Sequence, residues 1–205
     1  MRPEEIERTS MAIIERELAE RGIVVPSDVL PVVARVIHAT ADFDFAESLA
    51  FSEGAVEAGK KALTQGATVV TDTRMAASGI SEKYMAENGG VVRCYMADED
   101  VALEAGERGT TRAAVSMERA AAETPEAVFA LGNAPTALLR LCELMSEGRA
   151  RPALIIGVPV GFVNVAESKE ALIKTADAKV PWIVARGRKG GSPVAAAIVN
   201  ALLRL

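Results

Sequence analysis

The chain has 205 residues, 50% hydrophobic and 25% charged, which is typical of a globular domain that buries a sizeable core. Its net charge of −5 and its 4% aromatic content argue against a nucleic-acid partner, which requires a basic surface or stacking platforms. The single histidine, His38, excludes multi-histidine metal sites, and two cysteines, Cys94 and Cys142, cannot form a four-cysteine site. We therefore expect no bound metal.

Targeting signals are not apparent. The longest apolar stretch, residues 153–166, is shorter than the about 20 residues that span a bilayer, and the N-terminal sequence does not resemble a secretory signal. Two cysteines in this context indicate reduced, small, buried side chains. We expect a cytoplasmic protein with no membrane partner.

Helical patterns occupy the N-terminal third of the chain, over residues 4–21, 28–38 and 52–65, and a further helix is expected to open at residues 44–47. Gly22 and Gly66 are expected to end the first and the last of these helices. Ser27 is expected to cap the second helix, Asp44 to open a capping box, and Ser52 to begin the last helix.

Short apolar runs then alternate with helical patterns. The runs cover residues 67–71, 91–95, 127–131, 154–158 and 182–185, and the helical segments cover 80–88, parts of 101–124, 136–147, 168–176 and 192–205. Continuous apolar runs predict strands that are covered on both faces. The sequence therefore predicts one α/β domain over residues 1–205, a three-layer α/β/α fold with a mainly parallel sheet of about five strands. Helices of residues 4–65 are expected to pack on the α/β portion, residues 66–205.

Glycine-rich loops follow three of these strands, at residues 132–136, 157–164 and 187–192. Ligands bind beyond the carboxyl ends of strands in open parallel sheets, and loop N–H groups attract anions. The last loop also carries Arg188 and Lys189, so it is a candidate anion site. Ordinary turns with a solvated basic cluster are the alternative interpretation.

Polar side chains outside these loops supply candidates for catalysis and binding. His38 lies at a predicted helix end, close to Asp42 and Asp44, which favours a protonated imidazole that could act as a general acid. A histidine hydrogen-bonded to a backbone carbonyl is the alternative. Arg74 and Arg112 could each bind a carboxylate through a planar guanidinium, or they could be surface residues.

Other chemistry has less support from the sequence. No G-x-S-x-G motif occurs, and neither cysteine has the basic neighbours of a reactive thiolate, so nucleophilic catalysis is not indicated. The acidic residues 98–100 lack the pattern of a calcium loop and are interpreted as a solvated loop or cap.

Together these segments resemble the precorrin-8X methylmutase family of corrin biosynthesis. The resemblance extends over nearly the whole chain and depends on residues 36–42 (VIHATAD), 71–75 (TDTRM), 78–80 (SGI), 132–138 (GNAPTAL), 157–169 (GVPVGFVNVAESK) and 187–192 (GRKGGS). The segment at residues 157–169 is much more specific than an isolated glycine-rich turn.

The resemblance implies an isomerase that moves a methyl group from C-11 to C-12 of precorrin-8X and gives hydrogenobyrinate. It implies a parallel α/β/α homodimer that needs no cofactor, with the macrocycle near the subunit interface. His38 would be the acid that protonates the ring, Arg112 would contact the macrocycle, and Ser10 is a weaker polar contact. Further expected contacts to this tetrapyrrole polycarboxylate are Arg74, Gly157, Pro159, Gly161, Asn164, Arg188 and Lys189.

Two alternatives stay open at this point. The same methyl shift could act on cobalt-precorrin-8, which would give cobyrinate in the anaerobic pathway, and no residue separates the two branches. A noncatalytic tetrapyrrole carrier would use the same arginines and loops.

Overall fold

The computed structural model describes residues 2–176 and 180–205 and contains a six-stranded, mainly parallel sheet. The strands are β1 (Leu49–Phe51), β2 (Val69–Thr71), β3 (Val92–Arg93), β4 (Val128–Leu131), β5 (Leu154–Gly157) and β6 (Trp182–Ala185). They lie in the order β1-β6-β5-β4-β2-β3; β1 is antiparallel to β6, and the other neighbours are parallel. All five predicted strands are confirmed.

Helices cover both faces of this sheet. They are α1 (Pro3–Glu20), α2 (Leu30–Thr40), α3 (Phe45–Ser48), α4 (Ala55–Thr64), α5 (Arg74–Gly79), α6 (Glu82–Glu87), α7 (Glu99–Arg108), α8 (Arg112–Glu123), α9 (Pro135–Ser146), α10 (Val165–Ala176) and α11 (Ser192–Leu202). One face carries α2, α4 and α11, with α1 packed on α2, and the other face carries α7 to α10. The predicted three-layer α/β/α class is therefore confirmed.

Burial explains why the strands appear as continuous apolar runs. Every residue of β4 and β5 is buried. In β2, Val69 belongs to the core on the α2 face, whereas Val70 belongs to the core on the α8 face. Successive side chains of a strand point to opposite faces, so a sheet covered on both sides needs an apolar residue at every position.

Strand β1 lies in a segment for which the sequence predicts helices alone, and that prediction is wrong there. Three residues are too few to show a periodic pattern. Ser52 extends the pairing, since its N–H donates to the Trp182 carbonyl at 3.0 Å and its Oγ accepts from the Trp182 N–H at 2.9 Å. Ser52 therefore does not begin a helix; α4 begins at Ala55, after Gly54 in the left-handed region (φ 69°).

Two predicted helix caps are also wrong. No side chain caps α2, so Ser27 does not act as its N-cap. Asp44 does occupy the N-cap position of α3, but its side chain makes no capping bond, and its carboxylate accepts a hydrogen bond from the ammonium of Lys189. The two glycine stops are confirmed, since Gly22 (φ 69°) and Gly66 (φ 79°) follow α1 and α4 in the left-handed conformation that a side chain disfavours.

Within residues 2–176 and 180–205, no helix is both long enough and apolar enough to cross a bilayer.

Candidate functional site

The glycine-rich loops lie side by side at one edge of the sheet, where the parallel strands β4, β5 and β6 end. We name them the β4 loop (residues 132–134), the β5 loop (158–164) and the β6 loop (186–191). Backbone bonds join the last two loops. The Gly191 N–H donates to the Val158 carbonyl at 2.9 Å, and the Gly161 N–H donates to the Arg188 carbonyl at 3.3 Å. The β5 and β6 loops therefore form one backbone unit.

Two glycines make this close approach of loops possible. A Cβ on Gly190 would lie 2.1 Å from the Val158 carbonyl oxygen. A Cβ on Gly132 would lie 2.7 Å from the Gly191 carbonyl oxygen. Neither contact leaves room for a side chain, so the three loops can interlock only with glycine at these positions.

Asp72 is buried directly after β2 and anchors the β4 loop. Its Oδ1 accepts from the Gly132 N–H at 3.0 Å. Its Oδ2 accepts from the N–H groups of Asn133 and Ala134 at 2.7 and 2.6 Å. Burial raises the pKa of Asp72, and the three N–H donors oppose that shift because they stabilise the carboxylate. Sequence reasoning assigned this residue no role, although a carboxylate that directly follows a buried strand is a recognisable signal.

Lys169 is a second functional candidate that sequence reasoning missed. It is 0% exposed, and its Nζ donates to the carbonyls of Gly187 and Lys189, each at 2.8 Å. Burial lowers the pKa of Lys169 to about 8. The available signal was its place on the buried stripe of α10, between Val165 and Leu172.

His38 is exposed in the last turn of α2. The helix ends at Ala41, which adopts a left-handed conformation (φ 53°) and turns the chain toward the β6 loop. There the Lys189 ammonium donates to a carboxylate oxygen of Asp42 and to one of Asp44, each at 2.6 Å. The hydrogen bond from Lys189 lowers the pKa of Asp42. This ion pair ties the segment that follows His38 to the predicted binding loop.

Helix α1 brings more charge to the same side of the molecule. Glu7 accepts a hydrogen bond from Arg35 at 2.6 Å and another from Arg204. The bond from Arg35 lowers the pKa of Glu7, and the charges of Arg204 and His38 contribute. Ser10 lies about one turn further along, half-buried, with its Oγ donating to a carbonyl of its own helix at 2.9 Å. Ser10 therefore lies on the helix that packs against α2, the helix that carries His38.

The two predicted arginines lie in different places. Arg74 is the exposed first residue of α5; the preceding Thr73 accepts from the Ala76 N–H at 3.0 Å and contacts the Ser192 hydroxyl at 2.8 Å. Arg74 therefore lies beside the loop cluster. Arg112 is the exposed first residue of α8, on the opposite face of the sheet from α2. Within one chain, Arg112 and His38 are thus separated by the sheet.

The β5 loop divides into a buried start and an exposed end. Gly157, the last residue of β5, and Pro159 are buried, and a Cβ on Gly157 would lie 2.8 Å from the Leu172 side chain, so this glycine serves packing. Gly161 is half-buried, whereas Asn164 is exposed, with φ 56°, directly before α10. The exposed surface of this loop therefore begins after Pro159.

An apolar surface continues from that point. Val160, Phe162 and Val163 are 45%, 83% and 77% exposed. The exposed guanidinium of Arg188 lies 5.5 Å from the centre of the Phe162 ring, a cation–π distance. The loop cluster thus presents an apolar surface next to a cation, which suits a flat organic anion.

Other predicted features lie outside this cluster. Cys94 and Cys142 are free thiols, and burial raises the pKa of both. Arg119 pairs with Asp98 at 3.8 Å and with Asp100 at 2.7 Å, so the acidic segment forms surface ion pairs. Among the residues that the structure describes, no group of three or more His, Cys, Asp and Glu side chains could hold a metal ion.

A cavity of about 660 Å³ lies between the start of α2, β1 and the start of α4, and none of the predicted site residues lines it. The predicted site is instead an open surface, since His38, Arg74, Arg112 and Arg188 are all exposed.

Comparison with known proteins identifies the family. The family model for precorrin-8X methylmutase matches residues 5–205. A cobalt-precorrin-8 methylmutase of Priestia megaterium is 44% identical over 98% of this chain and 88% of its own length. A precorrin-8X methylmutase of Pseudomonas aeruginosa is also 44% identical, over 96% of this chain and 93% of its own. A crystal structure of precorrin-8X methylmutase from Thermus thermophilus superposes with a TM-score of 0.90 at 43% identity, and the match covers 98% of this chain and 95% of that one. The chain therefore belongs to the precorrin-8X methylmutase family.

Proposed function

We propose that this methylmutase moves the methyl group at C-11 of precorrin-8X to C-12 and gives hydrogenobyrinate. The family match over residues 5–205 supports the reaction class. One carbon–carbon bond breaks at C-11 as another forms at C-12, so the product is an isomer and the step needs neither oxidant nor reductant. Relatives named for precorrin-8X and for cobalt-precorrin-8 are each 44% identical to this chain, so cobalt-precorrin-8 is the alternative substrate.

We assign the proton donor to His38. The observation that carries this role is that the chain's one imidazole is exposed beside an interlocked loop cluster and tied to it through the Asp42–Lys189 pair. An exposed imidazole can exchange protons with water and deliver one to a bound ring, and general acid catalysis typically contributes about 10²–10⁴-fold in rate. Protonation increases the electron demand of the conjugated ring, which promotes migration of the methyl group with its bonding pair. Loss of a proton from the ring then restores its charge.

The substrate's acetate and propionate side chains would be held by cations of the site. Arg74 and Arg188 lie at the loop cluster, and their planar guanidinium groups can bind carboxylates in a bidentate manner. The apolar macrocycle would lie on the exposed surface of Phe162 and Val163. The reacting carbons would then be fixed by many weak contacts while one residue supplies the proton.

We further propose that the working form is a cytoplasmic homodimer whose second copy completes the site. Two observations support the dimer: Arg112 and His38 lie on opposite faces of the sheet, and Phe162 and Val163 are highly exposed. Exposed apolar patches of this kind mark binding surfaces. A stable monomer in sedimentation at the working concentration would contradict the dimer. The free thiols support a reducing compartment, which cell fractionation would test.

The proposed reaction is tested by incubating the purified protein separately with precorrin-8X and with cobalt-precorrin-8 and following the absorption spectrum. Catalytic conversion of one compound, in excess over enzyme, supports the methylmutase and identifies its substrate. A carrier would instead form a stoichiometric complex from which the unchanged compound is recovered after denaturation. That outcome with both compounds would contradict the proposed function.

A further inference from the structure

Lys169 is unusual because complete burial of its side chain is combined with hydrogen bonds to uncharged partners alone, among the residues that the structure describes. Lysines are almost never fully buried unless they are paired, since removing an ammonium from water is costly. An apolar side chain would satisfy the packing of the α10 stripe without that cost. Packing therefore does not explain a lysine at this position.

The partners of the ammonium are two carbonyls of the β6 loop, those of Gly187 and Lys189, each 2.8 Å from Nζ. The structure shows no cis peptide bond in the described residues, so the carbonyl and the N–H of each peptide unit point in opposite directions. The Gly187 carbonyl shares its peptide unit with the Arg188 N–H, and the Lys189 carbonyl shares its unit with the Gly190 N–H. Both N–H groups therefore point away from Lys169.

These two N–H groups have no protein acceptor within residues 2–176 and 180–205. The peptide unit between them is turned the other way, because the Arg188 carbonyl accepts from the Gly161 N–H at 3.3 Å. The loop thus carries two N–H donors with a common direction next to the exposed guanidinium of Arg188. Loop N–H groups that share a direction bind anions, and a carboxylate has two oxygens to accept them.

We infer that Lys169 is a positioning residue for substrate binding: by holding two carbonyls of the β6 loop inward, it keeps the N–H groups of Arg188 and Gly190 turned toward a side-chain carboxylate of the macrocycle. The inference rests on the proposed function, because it requires a polycarboxylate substrate. Lys169 itself is buried and does not contact the substrate. Its positive charge beneath the loop also favours an anion on the outer side.

The test compares two ligands in two variants. Lys169→Met removes the ammonium, and Lys174→Met is the matched control because Lys174 is exposed on the same helix. The ligands are hydrogenobyrinate and an analogue whose side-chain carboxylates are converted to primary amides; Kd is measured for each by absorption titration. Lys169→Met is expected to weaken hydrogenobyrinate binding about 10-fold and amide binding less than about 3-fold, as for loss of a charge-assisted interaction. KM should rise by a similar factor with kcat nearly unchanged, and the control should match the wild type.

Equal weakening of both ligands, or no weakening of either, would overturn the inference, because a general scaffold role does not distinguish carboxylates from amides. If circular dichroism shows that Lys169→Met does not fold, Lys169→Leu, which also removes the donor, undergoes the same two titrations with the same criteria. A wild-type protein that binds neither ligand and converts neither precorrin would contradict the proposed function itself. If the wild type is fully active and Lys169→Met loses affinity equally for both ligands, this inference alone is contradicted.

Discussion

Replacing Asp72 with asparagine tests whether the buried carboxylate holds the β4 loop in place. In the wild type, the Gly132 N–H donates to Oδ1 at 3.0 Å. In the variant, an asparagine carbonyl at the Oδ2 position keeps the bonds at 2.7 and 2.6 Å, but the NH₂ group replaces Oδ1 and faces the Gly132 N–H. A buried donor left without an acceptor costs about 1–3 kcal/mol. The neutral side chain recovers part of the cost of burying a charge, so we expect a net loss of about 2 kcal/mol in the free energy of unfolding.

Urea titration and thermal denaturation measure this loss. For a chain of this length, about 2 kcal/mol corresponds to a fall in Tm of about 4–8 °C. Asp28→Asn is the matched control, since Asp28 is exposed, and its free energy of unfolding should stay within about 0.5 kcal/mol of the wild type. A loss in Asp72→Asn no larger than that of the control would refute the anchoring role.

Three further predictions follow from the same contacts. Gly190→Ala places a Cβ 2.1 Å from a carbonyl oxygen of the β5 loop and should lower the free energy of unfolding in urea by about 1–3 kcal/mol. The control Gly106→Ala, at a helical position with open space, should be neutral or stabilising, and equal effects of the two substitutions would contradict the interlocked loops. Lys189→Ala should raise the pKa of Asp42 in a carboxyl NMR titration, and an unchanged pKa would show that the pair does not form in solution. Burial holds the pKa of Lys169 at about 8, below its unfolded value of about 10.4, so the unfolded chain binds more protons between these two pH values. The free energy of unfolding of the wild type relative to Lys169→Met should therefore rise with pH across that window. A difference that does not change with pH would contradict the lowered pKa.

Most of the sheet could be predicted from the sequence because its strands are buried on both faces. Every residue of β4 and β5 is buried, so each strand is a continuous apolar run with turn residues on either side. The edge strand β1 has three residues and pairs on one side, with β6, and so leaves no comparable pattern. Its identity depends on the partner strand more than 130 residues later, which a local pattern does not contain.

The candidate site could be predicted in part for a similar reason. Glycine-rich loops at strand ends can be recognised from the sequence, and they do meet at one edge of the sheet. Lys189 as a substrate contact stays a prediction; the sequence does not indicate that its ammonium bonds Asp42 and Asp44, at separations of 147 and 145 residues. Asp72 acts on N–H groups 60 to 62 residues away. Such contacts arise from the tertiary fold, so spacing along the chain does not reveal them.

The most direct test of the central claim, that His38 donates the proton for the methyl shift, is a single-turnover measurement with precorrin-8X. The wild type and His38→Gln are each mixed, in separate reactions and in excess, with the substrate, and the rate of spectral conversion is followed. His38→Gln keeps a side chain of similar size without an acidic imidazole. We predict that His38→Gln binds the macrocycle with a Kd within about 3-fold of the wild type and converts it about 10²–10⁴ times more slowly, the usual contribution of a general acid. Conversion by His38→Gln at the wild-type rate would contradict the account.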